Sequence, residues 1–109
     1  MCAPDYFTAS PVNSLIGTFA PANTIRAVWQ WENLRDTFRS LGHTVSFIDP
    51  IPGLADMVFA ANGGFSLDSR AYVACFASPE YRSEARAFQN WFDSHGFETH
   101  APNWINEGE

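Results

Sequence analysis

Three polar residues stand where ligands are commonly bound: Asp56, Asn62 and Arg82. Asp56 lies at the entrance of a short apolar segment, and Asn62 begins an Asn-Gly-Gly turn at its exit. Binding residues favour such loops because a rigid scaffold presents them. Each residue also has a purely structural reading, since Asp56 can cap a loop, Asn-Gly-Gly is a good turn, and Arg82 can be a solvated helix charge.

Nucleophilic catalysis would need an activated thiol with a positioned histidine. Cys75 lies among β-forming residues and is predicted to be a small buried hydrophobe. His43, His95 and His100 flank glycine helix stops or lie in a terminal strand, where helix-end and surface roles are favoured. Cys2 and Cys75 lack the spacing of a redox or metal motif. We therefore predict no catalytic residue, no metal site and no cofactor in this chain.

The composition describes a small globular protein. The chain has 109 residues, of which 46% are hydrophobic, and fits one domain. Twelve acidic residues against six basic ones give a net charge of −6, which argues against nucleic acid and membrane partners. The sequence has no apolar run of membrane-spanning length, and its first residues do not resemble a signal peptide, so a cytoplasmic location is predicted.

Two helices are predicted, at about 23–41 and 79–95. The first follows a stripe of apolar residues at spacings of four and three, and Gly42 ends it. The second begins with Ser78 as N-cap and Pro79 at its first position, and Gly96 ends it. The stripe of the first helix consists of Ala27, Trp31, Leu34, Phe38 and Leu41.

The remaining elements are short. A loop is predicted to extend to Pro21, and a hairpin is predicted to turn at Asp68 and Ser69. Glu107 and Glu109 are predicted to belong to a flexible acidic tail. The predicted strands are 6–9, 44–48, 57–60, 65–67, 71–76 and 98–100.

A weak internal repeat relates the two helix ends. Phe38-Arg39-Ser40-Leu41-Gly42 matches Phe92-Asp93-Ser94-His95-Gly96 at a displacement of 54 positions. A period near fifty residues indicates a supersecondary module used twice, although chance similarity is the alternative. The predicted fold is α+β, with strand-strand-helix-strand modules at 1–50 and 51–102 and a tail at 103–109.

Several blocks spread over the chain resemble the N-terminal part of bacterial dimethylarginine dimethylaminohydrolase-like proteins of the amidinotransferase superfamily. The resemblance implies a pentein fold, a propeller of five α/β modules, of which this chain would supply about two. The matching blocks are MCAPDYF at 1–7, PAN at 21–23, QWE at 30–32, LGHTV at 41–45, PGLADMVF at 52–59 and NEGE at 106–109.

The resemblance implies a guanidino substrate attacked by a cysteine, with a histidine as acid and base and carboxylates holding the guanidinium. Both catalytic residues come from later modules of the family, so the chain is interpreted as ending before them. Asp56 matches the family's first substrate-side aspartate, and Arg82 matches an arginine that holds the substrate's carboxylate. Ala61 and Asn62 depart from the adjacent acids usual in enzymes that hydrolyse dimethylarginine.

Three functions remain open. The first is a non-catalytic module that associates with itself, because a piece of a propeller exposes sheet edges and apolar flanks. The second is a binding protein or partial hydrolase for arginine-like guanidino compounds, in which another chain completes the site. The third is a truncated gene product without selected function.

The aromatic content favours self-association. Aromatic residues make up 16% of the chain, which is more than a core of this size easily encloses. Part of this apolar surface is therefore expected to face a second copy in a homodimer or larger symmetric assembly. The interface candidates are Trp29, Trp91 and Trp104.

Overall fold

The computed structural model describes residues 1–8 and 23–107. Its chain divides into two compact units, Met1–Val58 and Phe59–Glu109. The predicted module boundaries at 50 and 102 stay predictions. Within the described residues, no helix combines the length and hydrophobicity needed to cross a membrane.

The first unit is built around helix α1, Thr24–Ser40. Asn23 caps it, because its side-chain oxygen accepts a hydrogen bond from the backbone N–H of Arg26 at 2.9 Å. Gly42 follows the helix at a φ of +87°, where a side chain would be strained. The predicted helix at 23–41 is therefore confirmed nearly to the residue.

The strands predicted in the first unit are wrong. In segment 44–48, only Ile48 forms a β-bridge, with Cys2, and residues 6–8 form no strand. An alternating pattern creates one apolar face but does not supply the neighbouring strand that a sheet requires. Ala9 and the loop extending to Pro21 lie outside the described residues.

The predicted strand 57–60 is also wrong. The segment belongs to two short 3₁₀ helices, Ala55–Val58 and Ala60–Gly63, which fall in the first and second unit respectively. Met57 is buried, as an apolar strand residue would be. A short apolar run has the same composition in a buried strand and a buried helix, so its periodicity could not separate the two.

The second unit is a three-stranded sheet with one long helix. Strands β1, Gly64–Leu67, and β2, Arg70–Val73, form the predicted antiparallel hairpin, which turns at Asp68 and Ser69. Strand β3, Glu98–His100, pairs with β2 in parallel, giving the order β1-β2-β3. Asp68 has a φ of +55°, which Asp tolerates better than most residues.

Helix α2, Arg82–Ser94, follows a short 3₁₀ helix, Pro79–Tyr81. Ser78 does not cap the helix with its side chain, although Pro79 lies near its start as predicted. The helix packs on one face of the sheet. A core forms there from Val73 at the end of β2, Ala74 and Phe76 beyond it, and Ala85 of α2. This core holds α2, which carries Arg82, against the sheet of the second unit.

The predicted tail is partly ordered against this unit. Asn106 pairs with Cys75 through two backbone hydrogen bonds of 2.9 and 3.0 Å. A carboxylate oxygen of Glu107 accepts a hydrogen bond from the backbone N–H of Ala77 at 3.1 Å. Glu107 is therefore not simply part of a solvated tail, because the backbone beyond β2 offers unpaired groups that this segment satisfies.

Candidate functional site

Asp56 lies in the first turn of the 3₁₀ helix Ala55–Val58 and is half-buried. Its neighbour Met57 is almost fully buried, so the local backbone is held in place by packing. Asp56 belongs to the first unit, whereas Asn62 and Arg82 belong to the second. Its role as the carboxylate that receives a guanidinium stays a prediction.

Asn62 is held on a short segment of the second unit whose two glycines are sterically required. A Cβ on Gly63 would come within 2.3 Å of the ring of Phe88, and a Cβ on Gly64 within 2.6 Å of the carbonyl oxygen of Tyr72. The backbone N–H of Ala74 also donates to the carbonyl of Gly63 at 3.1 Å. Helix α2 and strand β2 therefore fix the backbone that carries Asn62.

The side chain of Asn62 is exposed to solvent, while its backbone N–H donates to the carbonyl of Phe59 at 2.9 Å. An amide that is exposed on a fixed backbone offers a ligand both a donor and an acceptor. Sequence alone indicated a turn here. The close approach of Gly63 to Phe88 explains why that turn is rigid.

Arg82 is exposed and is the first residue of α2. A positive charge in the first turn opposes the helix dipole, at a cost of about 0.3–1 kcal/mol, so helix stability does not explain this residue. Phe88 lies six residues further along, about 9 Å at ~1.5 Å per residue. Asn62 and Arg82 are thus supported by the same helix.

The start of α2 carries a second charge. The hydroxyl of Ser78 donates a hydrogen bond to the carboxylate of Glu80, and this bond lowers the pKa of Glu80 below its usual value. Glu80 is therefore ionised at neutral pH and suits the positive end of the helix, unlike Arg82. The charge of Glu80 thus suits this end of the helix, whereas that of Arg82 opposes it.

Cys75 lies two residues beyond the end of strand β2. It is half-buried, and its backbone N–H and its carbonyl both form hydrogen bonds with the backbone of Asn106. Across the described ranges 1–8 and 23–107, no hydrogen bond links its thiol to a histidine. The three histidines instead lie against aromatic rings: His43 against Phe38, His95 against Trp91 and His100 against Tyr72.

The three tryptophans proposed for an interface differ in exposure. Trp29 in α1 is 63% exposed and Trp104 is 69% exposed. Trp91 is half-buried and stacks on His95 with ring centroids 4.0 Å apart. Trp29 and Trp104 therefore offer more surface to a partner than Trp91 does.

Sequence reasoning missed the outer face of the sheet. Thr99 faces α2, because its hydroxyl donates to a carboxylate oxygen of Asp93 at 2.6 Å, so its neighbours Glu98 and His100 face away. The alternation within each strand was the available signal, but it could not say which side the helix would cover. The six outward residues are Phe65, Leu67, Arg70, Tyr72, Glu98 and His100.

Comparison with known proteins finds relatives in sequence and in structure, and the structural neighbours are arginine dihydrolases of the pentein fold. The chain is 41% identical over 110 residues to N(G),N(G)-dimethylarginine dimethylaminohydrolase of Mycobacterium tuberculosis, matching 100% of this chain and 36% of that protein. The chain thus spans about a third of the length of this curated relative. No protein-family model matches it.

Solved structures support the same conclusion. The N-terminal domain of ArgZ bound to substrate, an arginine dihydrolase from cyanobacteria, superposes with a TM-score of 0.88 at 29% identity, covering 99% of this chain and 41% of that one. A complex of AgrE with L-arginine gives 0.87 at 27% identity, covering 99% and 16%. The predicted resemblance and fold class are confirmed: the chain is homologous to part of a dimethylarginine dimethylaminohydrolase and shares the fold of arginine dihydrolases.

Proposed function

We propose that this chain, as an isolated polypeptide, is a non-catalytic module of the guanidine-modifying fold that associates with a second copy of itself. The observation that carries the first half is the environment of Cys75. A thiol attacks a guanidinium only as an activated thiolate beside a proton donor, and no histidine within residues 1–8 and 23–107 hydrogen-bonds the half-buried Cys75 thiol.

Exposed aromatic residues support the second half of the proposal. Trp29 and Trp104 are both more than 60% exposed, and such side chains are enriched at protein interfaces. Truncating Trp104 to Ala should weaken the assembly, and Trp29→Ala is the matched variant in the other unit. Light scattering at low micromolar concentration measures the mass, and a monomer at every concentration would contradict the self-association.

The proposal that the isolated chain is non-catalytic has its own test. The purified chain is expected to form no citrulline from arginine or dimethylarginine above the buffer blank. Cys75→Ser controls for a reactive thiol, because it keeps the size of the residue but removes the nucleophile. Citrulline formation that disappears in Cys75→Ser would overturn the proposal.

A second candidate function is the binding of an arginine-like guanidino compound, with other parts of the site supplied by another chain. The segment that carries Asn62 packs against the helix that carries Arg82, which favours this function. Structures of relatives determined with substrate or L-arginine also favour it. Within the second unit, Asn62 would hydrogen-bond the ligand and Arg82 would hold its carboxylate. Within the first unit, Asp56 offers a carboxylate that suits a guanidinium.

Calorimetric titration with L-arginine tests this binding. Arg82→Ala should weaken binding about tenfold or more if a charged hydrogen bond to the ligand's carboxylate is lost. Arg86→Ala is the matched control, since Arg86 is exposed one turn further along the same helix. Equal effects of the two variants would show that only general charge matters.

We also infer a cytoplasmic location. Within the described residues, neither Cys2 nor Cys75 forms a disulfide, which agrees with a reducing compartment. Fractionation of cells that express the chain at its natural level tests this inference, and recovery in an oxidising compartment would contradict it.

A further inference from the structure

Asn62 and Gly63 are the one asparagine–glycine pair in the sequence. Such a pair deamidates without an enzyme, because the backbone nitrogen of the glycine attacks the side-chain amide carbon and no side chain on the glycine shields that nitrogen. This chemistry is one reason that asparagine is thermolabile in proteins. The pair is therefore reactive by its sequence, and the local structure decides how fast it reacts.

The two halves of the reaction lie in different surroundings. The side chain of Asn62 is exposed, so water and base reach its amide carbon. Gly63, which supplies the attacking nitrogen, is buried. The buried half therefore limits the rate.

Three features hold Gly63 in place. It lies so close to the Phe88 ring that an added Cβ would overlap the ring atoms. Its carbonyl accepts a hydrogen bond from the backbone N–H of Ala74 at 3.1 Å. It also belongs to the 3₁₀ helix Ala60–Gly63, a conformation in which ψ is about −20 to −30°.

Ring closure works against all three features. The succinimide ring that forms contains the Cα, C, Cβ and Cγ atoms of Asn62 and the nitrogen of Gly63. Closing it turns the Cα–C bond of Asn62 until the nitrogen lies beside Cγ, which takes ψ out of the helical range. The same rotation moves Gly63 away from Phe88, so the segment has to open before the reaction proceeds.

We propose that Asn62 is a deamidation site that the contact between Gly63 and Phe88 keeps unreactive until this segment opens. The Gly63 nitrogen forms a bond to Asn62 Cγ, and the Cγ–Nδ2 bond breaks. The amide nitrogen leaves as ammonia and takes the proton of the Gly63 N–H. Water then opens the succinimide at either carbonyl, which gives aspartate or isoaspartate without oxidation or reduction.

Both products change the segment permanently. Each replaces a neutral amide by a carboxylate and adds one negative charge to the exposed end of this turn. Isoaspartate also lengthens the backbone by one atom, which displaces Gly63 where the Phe88 ring leaves no room. The modified chain thus records that the segment has opened, whether or not the chain self-associates or binds a guanidino compound.

Peptide mapping by mass spectrometry of the incubated full chain tests the role of Phe88. Phe88→Leu should raise the rate of deamidation at Asn62 about tenfold or more, because the smaller side chain lets the segment open more often. Phe76→Leu is the matched control, since Phe76 is 8% exposed in the core of the same unit, and it should raise the rate much less. Asn103, which precedes the bulky Trp104, should stay an amide throughout.

The wild-type chain gives a second test that needs no variant. Unfolded in guanidinium chloride, it should deamidate at Asn62 about tenfold or more faster than the folded chain, because every molecule is then open. Equal rates in the folded and unfolded chain would overturn the protection by structure. Equal acceleration by Phe88→Leu and Phe76→Leu would overturn the role of the Gly63 contact, and an intact Asn62 in the unfolded chain would overturn the site itself.

Discussion

Helices α1 and α2 end in the same way but are packed differently. In both, the N–H of the residue after the glycine donates to the carbonyl of a Phe five residues earlier, His43 to Phe38 at 3.0 Å and Phe97 to Phe92 at 3.1 Å. Both glycines have φ above +80°, the geometry of the Schellman motif. The two segments of the predicted repeat therefore form the same helix end, while the module used twice stays a prediction.

Burial separates the two helices. None of the residues of α1 is buried, whereas α2 buries Ala85 and Phe88. Trp31, Leu34 and Phe38 share one side of α1, but Ile25 lies about 180° from Leu34 around a helix of ~100° per residue, so the apolar residues are not confined to that side. Local sequence thus determines where a helix ends, and the neighbours available in the fold determine whether its apolar residues are covered.

The largest effect expected from this difference is the removal of a buried ring. Phe88→Ala should lower the free energy of unfolding by about 3–5 kcal/mol, because it deletes a core side chain that is 6% exposed. Phe38→Ala should cost about 1 kcal/mol or less, since Phe38 is 40% exposed. Urea unfolding followed by residue-level hydrogen exchange measures each helix separately. Equal losses of unfolding free energy in Phe88→Ala and Phe38→Ala would contradict the difference in burial between the two helices.

The contact between Gly63 and Phe88 should give the next largest effect. Gly63→Ala should lower the free energy of unfolding by about 1–3 kcal/mol, because the new Cβ overlaps the Phe88 ring. A double variant with Phe88→Leu should recover part of that loss, since the smaller side chain leaves room for the methyl group. Thermal unfolding of the single and double variants checks this, and strictly additive costs would argue against the contact.

The two helix ends, unlike the two helix faces, should lose similar amounts of stability when their glycines are replaced. Gly42→Ala and Gly96→Ala place a side chain at φ values of +87° and +81°. Each should cost about 1 kcal/mol, because the strain is local and does not depend on how the helix is packed. Chemical denaturation of both variants measures the two costs, and a difference of several-fold would mean that packing contributes at one end.

The smallest effect concerns pH. The hydrogen bond from Arg35 lowers the pKa of Asp36 in α1, and the hydrogen bond from Ser78 lowers that of Glu80 before α2. A lowered folded-state pKa gives stability that is present above the ordinary pKa, about 4, and is lost as the pH falls through the lowered value.

Both carboxylates are fully exposed, so the gain is small and screened by salt. In Asp36→Asn and in Glu80→Gln, the free energy of unfolding should fall slightly less between about pH 5 and pH 3 than it does in the wild type. Carbon-detected NMR titration of the wild-type carboxylates measures the shifts directly. Midpoints at or above the ordinary values would contradict the two hydrogen bonds.

Local signals predicted the long helices, the hairpin and the last strand, because caps, glycine stops and turn residues act over a few positions. The same signals failed for segments 44–48 and 57–60, where the choice between strand, coil and 3₁₀ helix depends on a partner distant in sequence. Asn62 and Arg82 could be found from their types and positions. The role of Gly63 could not, since it depends on Phe88.

By itself, the sequence determined the ancestry, the helix boundaries and the residue types of the candidate site, because each is encoded in a continuous stretch of chain. Only the tertiary structure decided which side of the sheet α2 covers, and therefore that the large apolar residues of β1 face outward. It also decided that Asn106 pairs with Cys75. Burial and non-local pairing are properties of surfaces that meet in space, and a linear pattern specifies a surface without specifying its neighbour.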